Sequence, residues 1–373
     1  MANNEWKVLF TSAMILGVAL SGDGGTALAH SALSQHAAVP KFSSANPMES
    51  MSQPVGGTRP IAVSDLLIGA AASPPMGKGN GEFLLEQVRK PMNMAVQLAS
   101  GANAFQIGIE GNVAYVPTLQ GTTYVVKLTS HKLAFTFSTP RGARIANVSK
   151  NGRLLIITGA KSVTAYSLPS LKRAWQVNKG GNALSLSDHF AYLSGNSSKV
   201  TSIINLKTGK ITGEIPVGMI EDSVYDPQQH TLWMANWTSG NMTVVDTRNQ
   251  RVVKVIHEKE GGGFSVKDMG SMSRMMMAKG GFMQLAAGPN GKHVYAASFS
   301  GNIMVYDAVN NAFEKNIPTV PMAKLSGIAI DPSGQYAYTT VENKKETIAV
   351  SLKTGKVAST FTNLESNRWY VVN

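Results

Sequence analysis

Five methionines crowd one short stretch of the chain: Met269, Met272, Met275, Met276 and Met277, with Met283 just beyond. Thioethers are soft ligands suited to Cu(I), and unlike imidazole they are not protonated in acid. If the stretch is helical, Met269, Met272 and Met275 or Met276 recur at three to four residues and share one face. The same face would serve as an adaptable apolar contact surface, the commoner use of methionine. Copper ligand and partner-contact lid therefore both stay open. The stretch runs over 258–279, between Gly261-Gly262-Gly263 and Gly280-Gly281, which supply flexible joints. A second ligand candidate is His30, whose imidazole could chelate copper together with a free α-amine if cleavage after Ala29 made it the first residue.

A mixed set of charges offers different chemistry. Arg144, Glu221, Asp222, Gln284 and Lys324 each precede or begin an apolar run, so all five could ring one opening. They could bind a small polar ligand or orient a water for lactone hydrolysis, or they could simply pair with one another. Trp237, flanked by Asn236 and Asn241, is the best aromatic anchor for a partner. Catalytic templates are missing: the chain contains no G-x-S-x-G, P-loop or H-E-x-x-H pattern. Cysteine is absent, which removes thiol catalysis, thiolate metal sites and covalent haem attachment. His131, His189, His230 and His293 fall in turns too dispersed to converge on one ion, and His257 borders the Met-rich stretch.

Repeats identify the elements that would position these groups. Asn205-Leu206-Lys207-Thr208-Gly209-Lys210-Ile211 and Ser351-Leu352-Lys353-Thr354-Gly355-Lys356-Val357 are two copies of one turn between alternating apolar runs. Lys127, Ser167, Asp246 and Asp307 occupy the same slot in four further segments, at intervals of 40, 38, 41, 61 and 44 along the ladder from 127 to 351. That is the period of a four-stranded propeller blade, with one insertion: the Met-rich stretch, between blades four and five. Six units fill 101–361. Ile61 to Ala71, Phe83 to Val88 and Met94 to Ala99 are three more strands, and the C-terminal run from Arg368 to Val372 is a fourth. The expected fold is all-β: a seven-bladed β-propeller over 59–373, closed by N-terminal strands pairing with the C-terminal strand, which removes exposed edges. A six-bladed ring with an N-terminal appendage is the alternative.

Leu232-Trp233-Met234-Ala235-Asn236, Val245-Asp246-Thr247 and Val252-Val253-Lys254-Val255-Ile256 resemble the YVTN repeat, with looser copies at Tyr295-Ala296-Ala297-Ser298 and Tyr338-Thr339-Thr340-Val341. Over about residues 60–373 the chain looks like the YncE-like exported propellers. The resemblance implies the fold. For function it leaves binding proteins, lactonases and quinoprotein dehydrogenase subunits all open, and nucleic-acid binding with them.

Val8 to Leu20 is an apolar run of signal-peptide length after Lys7, and Ala27-Leu28-Ala29 fits a cleavage site. Residues 1–29 therefore read as a signal peptide and 30–58, rich in Ser, Ala, Pro and Gln, as a flexible tail. The expected location is periplasmic or secreted, with no transmembrane anchor after cleavage. The net charge of +12 favours anionic partners such as an envelope polymer, an acidic protein or, more weakly, nucleic acid. Together these readings describe an exported, non-enzymatic binding propeller acting through its Met-rich face, with copper as the one cofactor the residues suggest.

Overall fold

Short runs of Val, Ile, Tyr and Ala, punctuated by Asx and glycine turns, fold here into antiparallel four-stranded sheets. A computed structural model describes residues 66–71, 80–87, 93–100, 104–195, 197–236, 239–257, 282–298, 300–321, 323–342, 344–362, 366 and 368–372. Every regular element among them is a strand, and no helix among them is long and apolar enough to cross a membrane.

Six blades are each built from four consecutive strands: 108–138, 145–177, 183–215, 220–256, 282–318 and 325–362. A further sheet is composite. Its innermost strand is Trp369–Val372, followed outward by Leu66–Ala71, Asn80–Gln87 and Asn93–Ser100. The C-terminal strand runs antiparallel to the first N-terminal one, with Leu66 opposite Val372 and Gly69 opposite Trp369. The chain is thus an all-β propeller. The number of blades formed from one continuous stretch is six, not seven, because the remaining sheet draws its strands from both ends of the chain.

The core is divided into wedges between neighbouring sheets. Trp233 and Met242 of blade 4 pack on Val294 and Tyr306 of blade 5, and Trp233 and Tyr306 are both almost fully buried with ring centroids 5.7 Å apart. Tyr338 of blade 6 packs on Trp369, and Tyr370 packs against Leu98, Ile107 and Val116. Second and third strands are covered on both faces, so they read as continuous apolar runs; outer strands such as Lys132–Ser138 are mostly exposed.

The repeat marks one physical position. Lys127, Ser167, Asn205, Asp246, Asp307 and Ser351 each end the third strand of their blade. The polar side chain there nucleates the turn: Asn205 Oδ1 accepts the backbone N–H groups of Lys207 and Thr208 at 3.0 Å each. Asp307 Oδ1 accepts those of Asn310 and Val309, which holds its carboxyl below the usual carboxylate range. Four residues on, every one of the six turns enters the left-handed region: His131 (φ 53°), Leu171 (54°), Gly209 (68°), Gln250 (58°), Asn311 (51°) and Gly355 (70°). Glycine is needed twice over at 209, where a Cβ would lie 2.6 Å from Trp175 Cγ. Gln250 carries a side chain where the backbone favours none. Gln250→Gly is expected to raise stability by about 0.5–1 kcal/mol, the left-handed penalty relieved less the entropy glycine loses on folding. Urea unfolding checks this, with Gly209→Ala expected to move the midpoint the opposite way.

Candidate functional site at the channel mouth

The inner strands of a propeller start at one face of the ring, so residues at those starts converge on the channel mouth. The structure places Arg144 immediately before the first strand of blade 2 (Ile145–Val148), Asp222 third in that of blade 4 (Ile220–Asp226), Gln284 third in that of blade 5 (Phe282–Ala287) and Lys324 immediately before that of blade 6 (Leu325–Ile330). Trp237, Met269, Met272, Met275, Met276, Met277 and His30 lie outside the described residues.

Asp222 is set by a register shift between Ile220 and Asp222, which makes Glu221 the extra residue of a bulge. Two adjacent carboxylates are thereby sent to different surroundings. Glu221 is partly exposed and faces Arg144; Asp222 is only 3% exposed. Both oxygens of Asp222 accept Arg368 Nη1, at 2.9 and 3.0 Å, and Oδ2 also accepts Leu285 N–H at 2.8 Å. Arg368 Nη2 donates to the Leu285 carbonyl at 3.0 Å. Arg368 is itself 9% exposed. Burial disfavours its charge, but Asp222 and Tyr370 more than reverse this and its pKa is raised. The pair ties blade 4 and blade 5 to the residue that leads into the C-terminal strand of the composite sheet.

A second cluster leads on from Arg368. Tyr370 Oη accepts Ile107 N–H at 3.1 Å, and burial pushes the phenol up to about 12 against the pull of Arg368 and of hydrogen bonds from Ile107 and Gln106. Gln106 bridges to blade 2 through its backbone, donating to Arg144 O at 2.9 Å and accepting from Ala146 N–H at 3.0 Å. The Arg144 guanidinium lies 3.8 Å from the centroid of the Phe105 ring. Burial lowers its pKa, with Glu221 opposing. On the far side, burial raises the Glu342 carboxyl while Lys324 and a hydrogen bond from Ser326 oppose.

Arg368 and Asp222 form a hydrogen-bonded ion pair, while the charge of Glu221 acts on Arg144 and that of Lys324 on Glu342. Such charges can orient a polar group or brace the ring. No group of three or more His, Cys, Asp or Glu among the described residues could hold a metal ion. Arg368, Tyr370, Gln106 and Glu342 were not identified from the sequence. The available signal was a lone arginine at the head of the apolar run Trp369-Tyr370-Val371-Val372.

No protein of curated function matches the chain in sequence. Among solved structures, Kuenenia stuttgartiensis hydrazine synthase is similar with a TM-score of 0.54 and 15% identity, over 67% of this chain and 76% of that one. Dihydro-heme d1 dehydrogenase NirN, solved in complex with DHE, is similar with a TM-score of 0.56 and 11% identity, over 84% of this chain and 77% of that one. At such identities the likeness concerns the fold alone. The family profile PQQ_2, described as outer membrane protein assembly factor BamB, matches residues 90–361, which takes in all six continuous blades. The chain belongs to this PQQ_2 family of β-propellers.

Proposed function

We propose that this chain is an exported, non-enzymatic binding propeller of seven blades, the composite sheet acting as the seventh, and that a partner docks on the face where the channel mouth lies. The observation that carries binding over catalysis is the Asp222–Arg368 couple. It occupies the one place where a lactonase-like or dehydrogenase-like site would need free, converging groups. The family label abbreviates pyrroloquinoline quinone, a planar tricarboxylate. The described mouth does not fit it: Arg368 is held by Asp222 and the Leu285 carbonyl, and Arg144 is stacked on Phe105 facing Glu221.

The docking element in this reading is the Met-rich connection, 258–279. Its flanking strands end at Ile256 in blade 4 and begin at Phe282 in blade 5, the two blades that Asp222 and Leu285 tie to the mouth. Trp237 belongs to the same face as a contact residue. The methionine set also supports Cu(I) handling within this role, and the YVTN-like repeats and the leader-like first 29 residues support a periplasmic or secreted location.

The test is a Cu(I) titration of the purified chain against a chromophoric chelator, beside a variant with Met269, Met272, Met275, Met276 and Met277 changed to leucine. One equivalent held by the wild type and lost in the variant is the expected result for copper handling. No competition with the chelator removes copper, and equal competition by both proteins removes these five methionines as its ligands. Leucine keeps the apolar area, so a protein contact would survive in that variant and would be broken by serine at the same five positions. A partner bound equally by the serine variant would overturn the Met-rich face.

A further inference from the structure

Blades 1 and 2 form an open groove of about 640 Å³ whose lining includes none of Arg144, Asp222 and Arg368. Its lining includes Arg141, Lys161 and Arg173, with Thr164, Tyr166 and Gln176, and no carboxylate. Elsewhere on the described surface Lys150 pairs with Asp188, Lys179 with Glu214 and Arg248 with Asp246. Arg141 and Lys161 make no ion pair among the described residues, and Arg173 only donates to Gln176 Oε1 at 3.2 Å. The groove thus concentrates positive charge with nothing to neutralise it.

The backbone holds these groups in fixed relation. Ala160 N–H donates to Arg141 O at 3.1 Å, which sets Arg141 and Lys161 side by side at one end. The close approach depends on Gly142, at φ 74°, where a Cβ would stand 2.6 Å from Ala160 Cβ. Arg173 pairs opposite Tyr166, five residues along the strand from Lys161. At roughly 3.3 Å per residue the two ends lie on the order of 15 Å apart. Between them is Thr164, 1% exposed, whose Oγ1 has no hydrogen-bond partner. A buried hydroxyl without a partner is costly, and a ligand would supply the missing acceptor. Three separated cations with a donor between them match several oxyanions in a row better than one.

We propose that this groove binds an extended oligophosphate chain, with Arg141 and Lys161 at one end, Arg173 at the other and Thr164 donating between them. The site is independent of the mouth contact and of the Met-rich stretch. Calorimetric titration with tripolyphosphate and with orthophosphate tests it on the full chain. Tripolyphosphate is expected to bind at least about tenfold tighter than orthophosphate, and R141Q/K161Q/R173Q to lose about a hundredfold or more. Thr164→Val is expected to weaken tripolyphosphate about three- to tenfold without lowering the melting temperature, because the hydroxyl it removes is unpaired in the free protein. A purely structural role for Thr164 would leave affinity unchanged and would overturn the site. Equal affinity for the two phosphates, or retention in the triple variant, would mean only general attraction to a basic surface and would also overturn it. A hexaglutamate peptide binding as tightly as tripolyphosphate would overturn the phosphate assignment.

Discussion

Replacing Asp222 with alanine is expected to lower the free energy of unfolding by about 3–5 kcal/mol. The cost arises less from the attraction lost than from what is left behind. Arg368 would keep its charge in a site almost closed to water, with two of its bonds gone. Leu285 N–H would lose its acceptor as well. Asp222→Asn should cost less, since an amide oxygen can still accept Leu285 N–H. The double variant Asp222→Asn/Arg368→Met should recover at least half of the single-variant loss, because a buried pair removed together leaves no stranded charge. Urea unfolding followed by tryptophan fluorescence reads all three. A wild-type midpoint for Asp222→Ala would mean that the couple does not brace the ring.

Thr340→Val is expected to cost about 2–6 kcal/mol, at one to three for each of the two donors it strands. The Thr340 hydroxyl donates to Ser366 O at 2.8 Å and accepts both Ser366 N–H at 3.2 Å and Trp369 Nε1–H at 2.9 Å. It is the polar tie that holds the start of the C-terminal strand against blade 6. Valine has the same shape and the same preference for a strand, so packing is preserved and the loss isolates the hydroxyl. Thr340→Ser keeps the oxygen and should stay within about 1 kcal/mol of wild type. If Thr340→Ser lost stability while Thr340→Val unfolded with the wild type, the branched methyl rather than the hydroxyl would be the important group. Both predictions concern the same feature. The C-terminal strand is joined to the N-terminal strands by pairing, to blade 6 by Thr340 and to blades 4 and 5 by Arg368, so weakening either of the last two ties should loosen the composite sheet first.

Much of the fold was legible residue by residue. The ladder at 127, 167, 205, 246, 307 and 351 falls on the last residue of six third strands, and at 205, 246, 307 and 351 the side chain caps its own turn and needs no distant partner. Asp331-Pro332-Ser333-Gly334 forms a turn of the same self-capping kind, with Asp331 Oδ1 accepting Gln335 and Tyr336 N–H at 2.8 and 2.9 Å. The positive φ at the fourth position beyond each ladder residue was visible only where glycine occupies it, at 209 and 355. At His131, Leu171 and Gln250 neighbouring strands impose it against the residue's preference.

The mouth was legible as a set of positions but not as a set of partnerships. Arg144, Asp222, Gln284 and Lys324 do start inner strands, as the apolar pattern after each one requires. That Glu221 faces Arg144 while Asp222 turns inward follows from a single bulge, which the sequence does not mark.

By itself, then, the sequence determined the blade period, the turn positions and the pairing of the two chain ends, since alternation and turn chemistry act over a few residues. Only the tertiary structure decided that Asp222 meets Arg368, 146 residues away, and that the Arg141, Lys161 and Arg173 charges share a groove lined by no acid. Which inner strands face each other, and which loops touch between blades, depends on the ring as a whole; no local pattern carries that information.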